Sequence, residues 1–263
     1  MLTLSPPWLA FDLGQPHHVL SFAPHNGGLV EARRILWREV RNADLSEDLD
    51  AIAWLEAQLE DRGATDAVCF LTSRRLDAHR SAKATEDGVT ATAVVTAGLS
   101  NAERIGTRLP QTWMQPKEWG TINIALRLSC PLGQTALIEA LSLVAEARTA
   151  AVLEARTELP TGCATGTGTD CIAVAAPRGC AAFAGKHTAA GHALGHTIRG
   201  KGGRSQHVGA AGIELILKRF GELAENPVVF NIEGAHPGHG GVARGQGQAR
   251  DQEGQEGGNQ KGR

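Results

Sequence analysis

The sequence contains no tyrosine and only 4% aromatic residues, so the stacking platforms that hold single-stranded nucleic acid are missing. It has no excess of either charge. The 26 Lys and Arg against 28 Asp and Glu leave a formal net charge of -2, and the pI is near 6.6, so no strong field exists to bind a polyanion by counterion release. Nucleic acid is therefore not an expected partner. No apolar run approaches the roughly 18 residues that cross a membrane, and the segment Met1 to Leu13 carries Asp12, Pro6 and Pro7 where a secretory leader needs a basic start and an unbroken apolar stretch. The expectation is a soluble, cytoplasmic protein without a membrane partner. The five cysteines include no C-x-x-C pair, so neither a structural zinc site nor a redox couple is indicated. Cys69 and Cys171 lie inside apolar runs and read as small buried hydrophobes.

What is present suffices for an ordinary core: 263 residues, 42% of them hydrophobic. His18 to Phe22 and Ala67 to Thr72 read as short buried strands, and Val89 to Thr96 alternates in character. Thr121 to Leu128 is the clearest strand, with Ile122, Ile124, Leu126 and Leu128 on one face and a wetter face opposite. Asp44 and Glu47 read as a capping box opening a helix with the stripe Leu49, Ile52, Leu55 and Leu59, which stops at Gly63. Further helices are expected over about 135–156, 188–199 and 209–224. The pattern predicts an α/β or α+β fold, a single domain over 1–233 with a mixed β-sheet packed with helices. From Gly234 to Arg263 the chain holds ten of its 32 glycines and no Leu, Ile or aromatic residue, which predicts a disordered tail in which His236 and His239 are solvated.

Three segments rich in Gly, Thr, Asn and His abut expected strand ends or helix starts, where backbone N–H groups are free. The first is Thr96-Ala97-Gly98-Leu99-Ser100-Asn101-Ala102-Glu103-Arg104-Ile105-Gly106. Here Ser100 is either an exposed nucleophile at a strand-to-helix turn, with Ala102 replacing the second glycine of the G-x-S-x-G elbow, or one half of a capping box with Glu103. The second is Ala164-Thr165-Gly166-Thr167-Gly168-Thr169-Asp170, whose N–H groups and threonine hydroxyls suit an oxyanion nest. It precedes its strand and lacks the lysine of a P-loop, which argues against phosphate handling. Asp170 either orients a histidine or water or caps the turn. The third is Gly185-Lys186-His187-Thr188, leading into Gly191-His192-Ala193-Leu194-Gly195-His196. Thr188 as N-cap places His187 at a helix N-terminus, where a neutral imidazole suits proton transfer. His192 and His196, at i and i+4, are either a metal pair or helix-surface residues, and the Glu of H-E-x-x-H is absent. His25-Asn26-Gly27-Gly28 reads as a tight turn that can also line a site.

Taken in order, these motifs resemble the adenosylcobinamide amidohydrolase family, known as CbiZ. The resemblance rests on T-A-G-L-S-N-A-E-R-I-G, on T-G-T-G-T-D before an apolar strand, on A-G-K-H-T before a helix of small residues, and on V-L-S-F-A-P-H-N-G-G near the start; it spans about Ala10 to Phe220. Two positions depart from it: Gly168 stands where the family pattern has Asn, and His192 where it has an acidic residue. The resemblance implies hydrolysis of the amide joining the aminopropanol arm to the corrin ring, converting adenosylcobinamide to adenosylcobyric acid in corrinoid salvage, with the corrinoid as partner and no cofactor or metal.

Amide hydrolysis needs a base, a proton donor for the leaving amine and donors for the oxyanion. The expected roles are His187 as base and then acid, Asp170 orienting it or the water, and Lys186 with the N–H groups of Thr165, Gly166, Thr167 and Thr169 stabilising the oxyanion. Ser100, Asn101 and Asn26 are expected to contact substrate amides. Trp113, Met114 and Trp119 either cover the ring face or pack. The competing readings are a corrinoid-binding or handover protein without catalysis and, more weakly, a nucleotidyl transferase, for which no carboxylate pair for magnesium is recognisable.

Overall fold

The computed structural model describes residues 1–41, 44, 49–107 and 120–199, all within one compact unit, Met1–Glu225. The expected helix over 209–224, the 234–263 tail, and Trp113, Met114 and Trp119 lie outside the described residues.

The chain begins with a hairpin of β1 (Leu2–Ser5) and the long β2 (Trp8–Ser21), continued by β3 (Gly28–Glu39), α1 (Ala51–Arg62) and β4 (Val68–Thr72). A hairpin of β5 (Arg80–Glu86) and β6 (Val89–Ala97) follows, then the two-residue β7 (Ala102–Glu103), β8 (Ile122–Leu128) and α2 (Gln134–Glu154). The described part closes with β9 (Glu158–Leu159), β10 (Gly162–Cys163), β11 (Gly166–Thr167), β12 (Cys171–Ala176) and α3 (Ala189–Arg199). Eight strands form one sheet in the order β4-β3-β2-β12-β8-β6-β5, with β1 added to β2. β3 with β4 and β12 with β8 are parallel and the other neighbours antiparallel, so the sheet is mixed, as expected.

Local chemistry explains the element ends. Asp87 and Gly88 both have positive φ, 45° and 80°, and Glu86 pairs with Val89, which is the two-residue turn that suits the twist of a hairpin. The capping box at Asp44 does not open α1. Asp44 accepts from the Arg41 N–H at 2.8 Å and closes a turn, while Asp50, directly before the helix, accepts from the N–H groups of Ile52 and Ala53. The helix ends as expected at Gly63, in the left-handed conformation with φ 62°.

The wetter face expected for β8 is also absent, because the sheet buries both faces. On one side Ile122, Ile124, Leu126 and Leu128 pack with Leu137 and Val144 of α2 and with Leu194 and Ile198 of α3. On the other, Ala125, Val94 and Ala173 pack with Phe11, Ile35, Trp37 and Phe70. That second core exists because the sheet curls. β4 and β8 are four strand spacings apart, about 19 Å in a flat sheet, yet Asn123 Nδ2 donates to the Leu71 carbonyl at 2.7 Å. The pairing order places β12 at the middle of the sheet, and the segments on either side of it bond to α2, one at Arg148 and one at Glu139.

Candidate functional site

The first two motif segments assemble with each other. After β6 the chain does not enter a helix: Ala102–Glu103 forms β7 and pairs antiparallel with Gly166–Thr167 of β11. Ser100 and Glu103 are therefore not a capping box; Ser100 sits exposed in the turn before β7, and a strand rather than a helix follows it. Gly120 has to be glycine for this turn to close, since a Cβ there would lie 2.6 Å from the Ser100 nitrogen. The departure at Gly168 has a local counterpart as well. A Cβ at that position would meet Asn101 Nδ2 at 3.2 Å, so the Asn101 side chain occupies the adjoining space.

The loop around Thr165 to Asp170, expected to offer free N–H groups to an oxyanion, has three of them bonded internally. Thr165 N–H donates to the Glu103 carbonyl at 2.9 Å, Gly168 N–H to the Asn101 carbonyl at 3.1 Å, and Thr167 N–H to Asp170 Oδ2 at 3.0 Å. Thr165 Oγ1 accepts from Ile105 N–H at 2.8 Å, and the exposed Thr169 gives its carbonyl to Thr121 Oγ1 at 2.8 Å. Three of the loop's N–H groups, those of Thr165, Thr167 and Gly168, are thus engaged in closing the loop on itself and on the segment around β7.

Asp170 is the centre of that closure. Its carboxylate accepts from Ile122 N–H at 3.1 Å, from Thr167 N–H and hydroxyl, and from Arg148 Nη1 of α2 in an ion pair whose side chains are only 7% and 17% exposed. Gly166 passes so close to this pair that a Cβ would stand 2.6 Å from Asp170 Oδ2. Arg148 is the residue sequence reasoning missed. The available signal was that it is the only Lys or Arg among the 21 residues of α2. With Glu103, Arg104, Ile105, Thr165 and Thr167 it lines a cleft of about 440 Å³.

The third segment lies elsewhere. Thr188 caps α3 as expected, its hydroxyl accepting from Gly191 N–H at 3.1 Å and donating to the Gly185 carbonyl at 2.8 Å. The loop before it is tied to α2 through Ala184 N–H, which donates to Glu139 Oε2 at 2.7 Å, and through Lys186 Nζ, 2.5 Å from Glu146 Oε1 at the surface. His187 is exposed and lines an open cleft of about 450 Å³ with Glu139, Ser142, Lys186 and Phe183, the last 74% exposed.

Asp170 therefore does not orient His187. Glu139 and Arg148 are nine residues apart on α2, two and a half turns, so they leave opposite flanks of the helix about 13.5 Å apart along its axis. The His187 loop is tied to the first and, through Lys186, to Glu146 on that same flank, while Asp170 is tied to the second. Asn26 belongs to neither cleft: its amide, held at φ 51°, donates to the carbonyls of Thr65 at 2.8 Å and Ala67 at 3.0 Å, locking the turn before β3 to the start of β4. Of the two thiols read as small buried hydrophobes, Cys69 is buried and Cys171 only half-buried. Burial pushes Cys69 upward, and burial followed by the Asp170 charge pushes Cys171 up to about 11.

A family model described as CbiZ, adenosylcobinamide amidohydrolase, matches residues 3–200, so it takes in β1 through α3 and both clefts. No curated protein matches the chain. Among the described residues, no helix is long and apolar enough to cross a membrane.

Proposed function

Because the chain belongs to the adenosylcobinamide amidohydrolase family, we propose that it hydrolyses the amide joining aminopropanol to the corrin of adenosylcobinamide. Water adds to the amide carbonyl, the C–N bond breaks, and the products are the corrin carboxylate, adenosylcobyric acid, and aminopropanol as the protonated amine. The observation that carries the chemistry is the open His187 cleft. An exposed imidazole beside the N-terminus of α3 is free to take a proton from water and return it to the leaving amine. Lys186 is the nearby cation for developing negative charge, and the exposed ring of Phe183 offers an apolar surface to the corrin. Asp170 and Arg148 act here as a positioning pair that locks α2 to the motif loops.

A second reading places the scissile amide in the Arg148 cleft. It is favoured by two buried atoms of complementary character, Arg148 Nε and Glu103 Oε2, which have no partner among the described residues and belong to side chains lining that cleft. Incubating the purified protein with adenosylcobinamide and following cobyric acid and aminopropanol by mass spectrometry tests the activity. Binding without cleavage would turn the assignment to a corrinoid handover protein. Cleavage by His187→Ala at the wild-type rate, together with its loss in a folded Glu103→Gln variant, would move the chemistry to the second cleft.

A further inference from the structure

The proposed reaction leaves unused the pair of histidines on α3. His192 and His196 stand one helical turn apart, with ring centroids 6.2 Å apart and planes at 85°. His192 is exposed and His196 half-buried, and both line a crevice of about 570 Å³ between α2 and α3. Small residues keep that crevice open: Ala147 and Ala150 on one side, Gly191 and Gly195 on the other, and a Cβ at Gly195 would meet nothing within 4 Å.

The structure adds a feature that spacing alone did not contain. His196 Nδ1 is hydrogen-bonded to Glu86 Oε1 at 2.7 Å, across from α3 to the last residue of β5. Glu86 is itself held in place, because it closes the hairpin whose Asp87-Gly88 turn requires two positive φ angles. A carboxylate on one ring nitrogen fixes the tautomer and orientation of an imidazole and raises the basicity of the other nitrogen. Nδ1 is thus committed, and Nε2 is the atom left to act as a ligand. A histidine one turn earlier on the same helix supplies a second imidazole, and imidazole selects borderline transition metals over Mg²⁺ or Ca²⁺.

We propose that His192 and His196 form a two-histidine binding site for a divalent transition-metal ion of the zinc or nickel type, with Glu86 as the carboxylate behind His196. Among the described residues no group of three His, Cys, Asp or Glu is arranged to hold a metal, so the proposed site rests on the two imidazoles alone. The crevice shares Lys186 with the His187 cleft, but neither proposed metal ligand takes part in the amide chemistry above, and the test uses the metal alone.

The experiment is a calorimetric titration of the stripped full-length chain with Zn²⁺, compared with His192→Ala and Glu86→Gln. His192 is exposed, so its replacement leaves the packing of α3 on Leu194 and Ile198 intact, which far-UV circular dichroism checks. The expected result is one Zn²⁺ equivalent present in the wild type and lost in His192→Ala, with affinity falling about 10- to 100-fold in Glu86→Gln. Wild-type protein that takes up no Zn²⁺, or a His192→Ala variant that binds with unchanged stoichiometry and affinity, would overturn the site. An unchanged affinity in Glu86→Gln would remove the carboxylate from it.

Discussion

The two flanks of α2 carry motifs of similar composition in opposite states. On the Arg148 flank, Thr165, Thr167, Gly168 and Asp170 spend their polar groups on one another, on β7 and on the helix. On the His187 flank, Thr188 caps α3 and Ala184 anchors to Glu139, but the imidazole of His187 remains open to solvent. A Gly- and Thr-rich segment is thus a scaffold where its donors are satisfied internally, and a candidate for chemistry where a titratable group is left over. Composition does not separate these two outcomes, because both need glycine for close approach and hydroxyls for short-range bonding.

Variants on the two flanks should break differently. The largest effect is expected for Asp170→Ala, which leaves the largely buried Arg148 uncompensated and strips Thr167 and Ile122 of an acceptor; a loss of about 3–5 kcal/mol in a denaturant titration is the expected outcome. An Asp170→Ala protein as stable as the wild type would erase the contrast between the flanks. His187→Ala should do the reverse, lowering turnover by about 10²- to 10⁴-fold while its melting temperature stays unchanged, because the side chain is exposed. Equal losses of stability in both variants would show that His187 is structural too.

Smaller effects sharpen the comparison at the anchors. Thr188→Ala removes the cap of α3 and should cost about 1 kcal/mol, with turnover reduced to the extent that the loop carrying His187 depends on that cap. Lys186→Ala breaks only an exposed pair with Glu146, and a stability change under about 0.5 kcal/mol is expected, so any loss of turnover reads directly on the cleft. The smallest change is expected in thiol labelling near neutral pH. The exposed Cys180 should be alkylated, while Cys69, buried, and Cys171, pushed up to about 11, should stay largely unmodified.

The helices and the central strand were legible in the sequence because they rest on local signals: the period-two apolar face of β8, the buried Leu55 and Leu59 of α1 with its stop at Gly63, although Leu49 and Ile52 of the expected stripe are exposed, and Thr188 ahead of α3. The family was legible for a similar reason, since its motifs are contiguous. The errors arose where a short-range rule had two solutions. Ser100-x-x-Glu103 satisfies the capping-box pattern, but the partner that arrived was β11, from more than sixty residues away, and a strand formed instead. Asp44 satisfied the same pattern and closed a turn, while Asp50 capped the helix.

By itself, then, the sequence determined which family the chain belongs to and which segments are dense in polar and titratable residues, because residue type and spacing are properties of one stretch of chain. The tertiary structure alone decided which of those residues meet. Asp170 went to Arg148 and not to His187 because the two loops bond to opposite flanks of one helix, and a helix of that girth keeps its flanks apart. Glu86 reached His196 for the complementary reason: the hairpin turn at Asp87-Gly88 lies where α3 crosses the edge of the sheet, a contact over 110 residues that no local pattern contains.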